Sequence, residues 1–168
     1  MKQALYLQQG KEPNGSLFLA RDPGGGLLYR LDGPRDSLTL HSRFLLLYSA
    51  GRQRARILRV GLTDMSVYEL RLDTGQRLRV VRQHATRKGG LLFQGKNWRF
   101  RGSLETRCFD IVENSRVRMT HAPCWQGECG FCYGLTLDGE EPDHLFCLCA
   151  AMIADSAAVL PGRCPLPV

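Results

Sequence analysis

Between Leu145 and Ala154 the chain reads Leu-Phe-Cys-Leu-Cys-Ala-Ala-Met-Ile-Ala, ten residues without a charge. After Asp155-Ser156 it resumes as Ala157-Ala158-Val159-Leu160. Three alanines, a methionine and no glycine in the first stretch favour helix over strand. Glu141-Pro142-Asp143 supplies a helix start with Asp143 as its cap, and Pro161-Gly162 supplies a stop. A helix that is apolar on every side has to be buried in protein or in lipid. From Leu145 to Leu160, at ~1.5 Å per residue, it spans about 24 Å, short of the ~30 Å hydrocarbon core of a bilayer. Asp155 weighs in the same direction. A helix near residues 143–160, enclosed by protein, is therefore expected. No stretch is long enough for a membrane span, and Met1–Leu7 holds too short an apolar run for a secretory signal.

The rest of the chain is punctuated by turn residues, among them Pro23-Gly24-Gly25-Gly26, Asp32-Gly33-Pro34, Ala50-Gly51, Asp73-Thr74-Gly75, Gly95-Lys96-Asn97, Glu113-Asn114-Ser115 and Asp138-Gly139. Between them lie strand-like runs: 27–31, 38–40, 44–48, 55–60, 67–72, 78–82, 91–93, 98–101, 108–112, 117–120 and 131–137. Tyr68-Glu69-Leu70-Arg71-Leu72 and Trp98-Arg99-Phe100-Arg101 alternate with a period of two, which sets one face on a core and the other in water. Tyr68, Trp98 and Phe100 then belong to the core rather than to a stacking surface. The fold class this predicts is β-rich: an antiparallel barrel of about 10–12 strands enclosing one apolar C-terminal helix. Residues 1–160 form one domain and 161–168 a short tail.

Strands followed by one wholly apolar helix resemble the tubby C-terminal-like superfamily, with LURP-one-related proteins the nearer branch and phospholipid scramblases more distant. Leu28-Tyr29-Arg30-Leu31-Asp32-Gly33 looks like its opening strand and turn. Leu45-Leu46-Leu47-Tyr48-Ser49-Ala50-Gly51 followed by Ala55-Arg56-Ile57 looks like its strand, glycine turn, strand unit. Phe100-Arg101-Gly102 with Phe109-Asp110-Ile111 and Val117 looks like a second copy, and Asp143 to Asp155 like the terminal helix. The resemblance covers roughly residues 17–157 and implies a closed barrel threaded by the helix. It implies little about activity, because LURP-one-related proteins largely lack an assigned one. Tubby proteins bind phosphoinositides through basic residues, but no motif here aligns with those positions.

Charge is distributed unevenly. Residues 43–118 carry 17 Lys and Arg against 6 Asp and Glu, a net +11, whereas the rest carries 6 against 10, a net −4. Nineteen of the cations are Arg and four are Lys, and Arg suits planar recognition of phosphate. In extended backbone, Arg52, Arg54 and Arg56 share a face, as do Arg77 with Arg79, Arg99 with Arg101, and Arg116 with Arg118. Together they would form a cationic outer wall suited to anionic membrane headgroups, ranked ahead of nucleic acid. A plain solvated face is the alternative.

Seven cysteines, Cys108, Cys124, Cys129, Cys132, Cys147, Cys149 and Cys164, make an odd count that argues against a secreted disulfide scaffold and for a reducing cytoplasm. His121, Cys124, Cys129 and Cys132 are candidate ligands for zinc, although the spacing between halves is short for a ribbon. The other readings are a redox CxxC and a hairpin with incidental thiols. Cys124 or Cys129 with His121 as base matches neither the caspase nor the papain signature, and Gly24-Gly25-Gly26 lacks the Lys-Ser/Thr of a phosphate loop. The expectation is a non-enzymatic, cytoplasmic binding module, peripheral to a membrane, without an obligatory cofactor. A zinc- or thiol-dependent protein and a protein-interaction scaffold are the alternatives.

Overall fold

The computed structural model describes residues 1–10, 15–33, 44–60, 66–83, 89–125 and 131–155. They form twelve strands and one helix: β1 Lys2–Gln9, β2 Phe18–Arg21, β3 Leu27–Asp32, β4 Phe44–Ser49, β5 Arg52–Val60, β6 Ser66–Leu72, β7 Arg77–Gln83, β8 Gly90–Gln94, β9 Trp98–Ser103, β10 Cys108–Glu113, β11 Arg116–Trp125, β12 Phe131–Asp138 and α1 Glu141–Asp155. Each strand pairs antiparallel with its neighbours in sequence, and β1 pairs with β12 to close the barrel. Closure leaves no free sheet edge.

Alternation decides which residues face inward. In β6, Ser66, Tyr68, Leu70 and Leu72 are buried while Glu69 and Arg71 are exposed. In β7, Leu78 and Val80 point to the core and Arg77 and Arg79 to water. The β4–β5 hairpin turns at Ala50 (φ 51°) and Gly51 (φ 76°), two successive left-handed residues as a tight two-residue turn requires. The expected strand at 38–40 lies outside the described residues.

The wall closes around α1, whose residues His144 to Asp155 are all buried. The uncharged stretch is thus the axis of the core, packed against β5, β6, β7, β11 and β12. Among the described residues no helix is long and apolar enough to cross a membrane. The helix begins earlier than its sequence suggests. The His144 N–H donates to the Glu140 carbonyl at 3.1 Å, so Glu140 rather than Asp143 occupies the cap position. Pro142 is tolerated because the amides of a first turn have no helical partner to lose. Asp143 and Glu141 instead tie the helix to the wall, through Lys96 at 2.8 Å and Arg54 at 2.7 Å. The described helix ends at Asp155; residues 156–160 of the expected helix and the tail 161–168 lie outside the described residues.

Candidate functional site

The two ends of the barrel differ. The turns at one end are short: 22–26, 50–51, 73–76, 95–97 and 114–115 separate the strands they join, and α1 enters there after β12. The C-terminus of α1 reaches the other end, where a polar cluster lies inside the wall. The His121 ring stacks between Phe109 (4.4 Å) and Tyr133 (4.8 Å). Its Nε2 lies 3.0 Å from Asp155 Oδ2, and its Nδ1 lies 2.6 Å from the Arg107 carbonyl. The Arg107 guanidinium donates to the Ala154 carbonyl and sits 4.0 Å from Asp155 Oδ1. A cation there meets the negative end of the helix dipole. Arg82, also buried, has its basicity lowered, first by burial and then by Arg107 nearby.

That cluster bears on the four expected metal ligands. His121 is buried inside the barrel with both ring nitrogens engaged. Cys124 and Cys132 are directly opposed on β11 and β12. Cys124 is three residues from His121, so its side chain points to the opposite face of the sheet. The structure therefore brings Cys124 and Cys132 together but not His121 with them, and Cys129 lies outside the described residues. Among the described residues no group of three or more His, Cys, Asp or Glu is placed to hold a metal ion. The same opposition of faces keeps His121 from acting as a base for Cys124.

The nine expected arginines do not form one uniform wall. Arg52 and Arg54 converge on Asp73 at 3.0 and 3.1 Å. The Glu141 hydrogen bond, ahead of any other influence, raises the basicity of Arg54. Arg101 pairs with Asp110 at 2.7 Å, Arg116 with Asp138 at 3.2 Å, and Arg118 with Glu113. The Arg116 hydrogen bond holds the Asp138 carboxyl below its usual range. Arg99 is exposed opposite the exposed Leu92, without an ion-pair partner among the described residues.

The remaining three gather, with a fourth. An outer depression of about 590 Å³ is lined by Arg56, Arg71, Arg77 and Arg79, with Glu69 as the sole carboxylate among the described residues that line it. Arg56 on β5 lies directly opposite Arg71 on β6, which lies directly opposite Arg77 on β7. Strands ~4.8 Å apart put the Cα atoms of this row within about 10 Å. Like charges in directly opposed positions are destabilising. Glu69 relieves little of this, because it is engaged by Arg79, its own opposite. Leu58 and Gln94 complete the rim. Planar forked guanidiniums in a row match an anion with several oxygens. Arg71 escapes sequence reasoning because it is alone on its strand, and only register places it between two arginines. The one available signal is its position on the charged face of β6.

The fold is thus a closed antiparallel barrel with an apolar helix as its axis. An X-ray structure of a protein from Arabidopsis thaliana, AT5G01750, shares the fold, with a TM-score of 0.58 and 14% identity over 92% of this chain and 91% of that one. At such identity the likeness is one of fold alone. No family model and no curated protein matches the chain.

Proposed function

We propose that this chain is a non-enzymatic binding module of the tubby-like type that docks on an anionic membrane surface through the groove between β5, β6 and β7. The observation that carries the reading is the row Arg56–Arg71–Arg77, three like charges in register across adjacent strands around a depression whose one carboxylate among the described residues, Glu69, is already engaged. Opposed like charges in such a row cost stability, which the negative charge of a bound anion offsets. A lipid phosphate supplies that charge, and a surface of anionic lipid adds about 1 kcal/mol per nearby basic side chain. The tubby-like assignment rests on the ordered strand and turn motifs and on the helix-threaded barrel. A cytoplasmic site of action, peripheral to a membrane, follows from the same reading.

Flotation with phosphatidylserine vesicles, and with neutral phosphatidylcholine vesicles as control, tests the proposal. The protein floats with the anionic vesicles at low salt and is released as salt rises. Arg71→Gln and Arg77→Gln weaken recruitment, whereas Arg101→Gln, which disrupts only an existing ion pair, leaves it nearly intact. No recruitment to anionic vesicles at low salt overturns the reading. Tighter binding to single-stranded or duplex oligonucleotides than to vesicles replaces lipid with nucleic acid as the partner.

A further inference from the structure

Cys124 and Cys132 are paired residue to residue in the antiparallel ladder between β11 and β12. Opposed residues in such a ladder project to the same face of the sheet. Here that is the outer face, shared with the exposed pair Thr120 and Thr136 and with Ala122 and Gly134. Directly opposed Cα atoms lie ~4.5 or ~5.5 Å apart, according to the hydrogen-bonding phase of the pair. Both separations fall within the ~4.4–6.8 Å that a disulfide spans. No disulfide joins the two, and the bond is geometrically available.

Burial separates the roles of these two thiols and sets the pair apart from the cysteines of α1. Cys124 is half-buried and Cys132 fully buried. Cys147 and Cys149 lie inside the barrel, where desolvation pushes the Cys149 thiol up to about 12 and Cys147 in the same direction, so both stay neutral and inert. Cys108 is exposed, but its strand position is opposite Ser103.

The geometry points to Cys124 and Cys132 as a thiol–disulfide exchange site that takes a small disulfide such as glutathione disulfide and closes a cross-strand bond between β11 and β12. The Cys124 thiolate attacks one sulfur of glutathione disulfide, forming a mixed disulfide and expelling a glutathione thiolate. Cys132, which bulk oxidant does not reach, then gives up its proton and attacks the Cys124 sulfur. The protein disulfide forms and the second glutathione leaves. Two protein thiols are oxidised, and one glutathione disulfide is reduced to two glutathiones. The bond staples the hairpin beside the connection 126–130 and beside the strand segment that carries His121, so it links the oxidation state to the helix-exit end of the barrel. This site is independent of the arginine groove.

The test exposes the full folded chain to glutathione disulfide, quenches with acid, and reads intact mass and a non-reducing peptide map. The wild type loses two hydrogens, and the map joins the peptides of Cys124 and Cys132. Cys132→Ser stops at one glutathione on Cys124. Cys124→Ser gains neither a cross-link nor a glutathione on Cys132, and Cys129→Ser closes at the wild-type rate. The oxidised wild type melts at a higher temperature than the reduced form. Persistence of the glutathione adduct without ring closure in the wild type overturns the inference, as does a map joining Cys129 to either cysteine. The wild-type map decides the question even if a serine variant folds poorly.

Discussion

Replacing Arg71 with Gln pits the groove's stability against its function. Arg71 faces Arg56 on one side and Arg77 on the other, with Glu69 two residues away on its own strand. Two unit charges about 6 Å apart in water repel by ~0.7 kcal/mol. At 0.15 M salt, with a screening length of about 8 Å, roughly half of that survives. The two repulsions together cost ~0.7 kcal/mol, and the screened attraction to Glu69 returns ~0.2. Removing the charge therefore stabilises the free protein by about 0.5 kcal/mol, or ~1–2 °C in Tm at 2–4 °C per kcal/mol for a chain of this size. Lowering the salt enlarges the gain. Binding acts in the opposite direction. An anion at ten times its dissociation constant stabilises the wild type by about 1.4 kcal/mol, and the variant by much less. Scanning calorimetry of both proteins, without and with inositol phosphate as a soluble headgroup, reads the two effects. The variant melts higher alone and lower with the anion present. A variant that melts below the wild type in both conditions, or that gains as much from the anion, refutes the reasoning.

Three further outcomes follow from the geometry. Asp155→Ala strips His121 and Arg107 of their buried carboxylate and costs about 3 kcal/mol or more, while Asp155→Asn, which keeps an acceptor for His121, costs about half as much; urea unfolding measures both, and a loss below ~1 kcal/mol for the alanine variant contradicts the assigned role. Ala50 holds a left-handed φ of 51°, so Ala50→Asn raises stability by roughly 0.5–1 kcal/mol in the same assay. The Cys149 thiol is lifted by burial from 9.0 to about 12. A group whose pKa is higher folded than unfolded leaves stability untouched below the unfolded value and erodes it above. Unfolding free energy thus falls between pH 9 and about 12, and Cys149→Ala shows a shallower fall than the wild type.

Much of the architecture was legible because period-two patterning and one uncharged stretch are strong signals. Tyr68-Glu69-Leu70-Arg71-Leu72 announces an inner and an outer face, and Leu145 to Ala154 can sit only in an interior. Strands β1 and β2 leave little trace in the local sequence. Lys2–Gln9 offers only Leu5 and Leu7 as fully buried apolar anchors among glutamines, and Phe18–Arg21 is four residues long. Their strand character comes from pairing with β12 and β3, which no local window contains. The site was half legible. Arg56, Arg77 and Arg79 belong to expected outer faces, but which arginines meet an acid and which meet one another is set by register. Arg101 lies opposite Asp110, whereas Arg56 lies opposite Arg71. His121 shows the same limit: spacing grouped it with Cys124, and pleating put it on the other side of the wall.

Closing β1 on β12 makes the order of synthesis matter. Lys2 must find Asp138 and Leu7 must find Tyr133, so the first strand made waits for the last. Helix α1 follows β12 in the chain, and the sheet has to remain unsealed until that rod is in place. Pairings of such long range make folding slow and leave apolar surface uncovered meanwhile. A nascent chain of this design gains its final shape only after its helix has emerged.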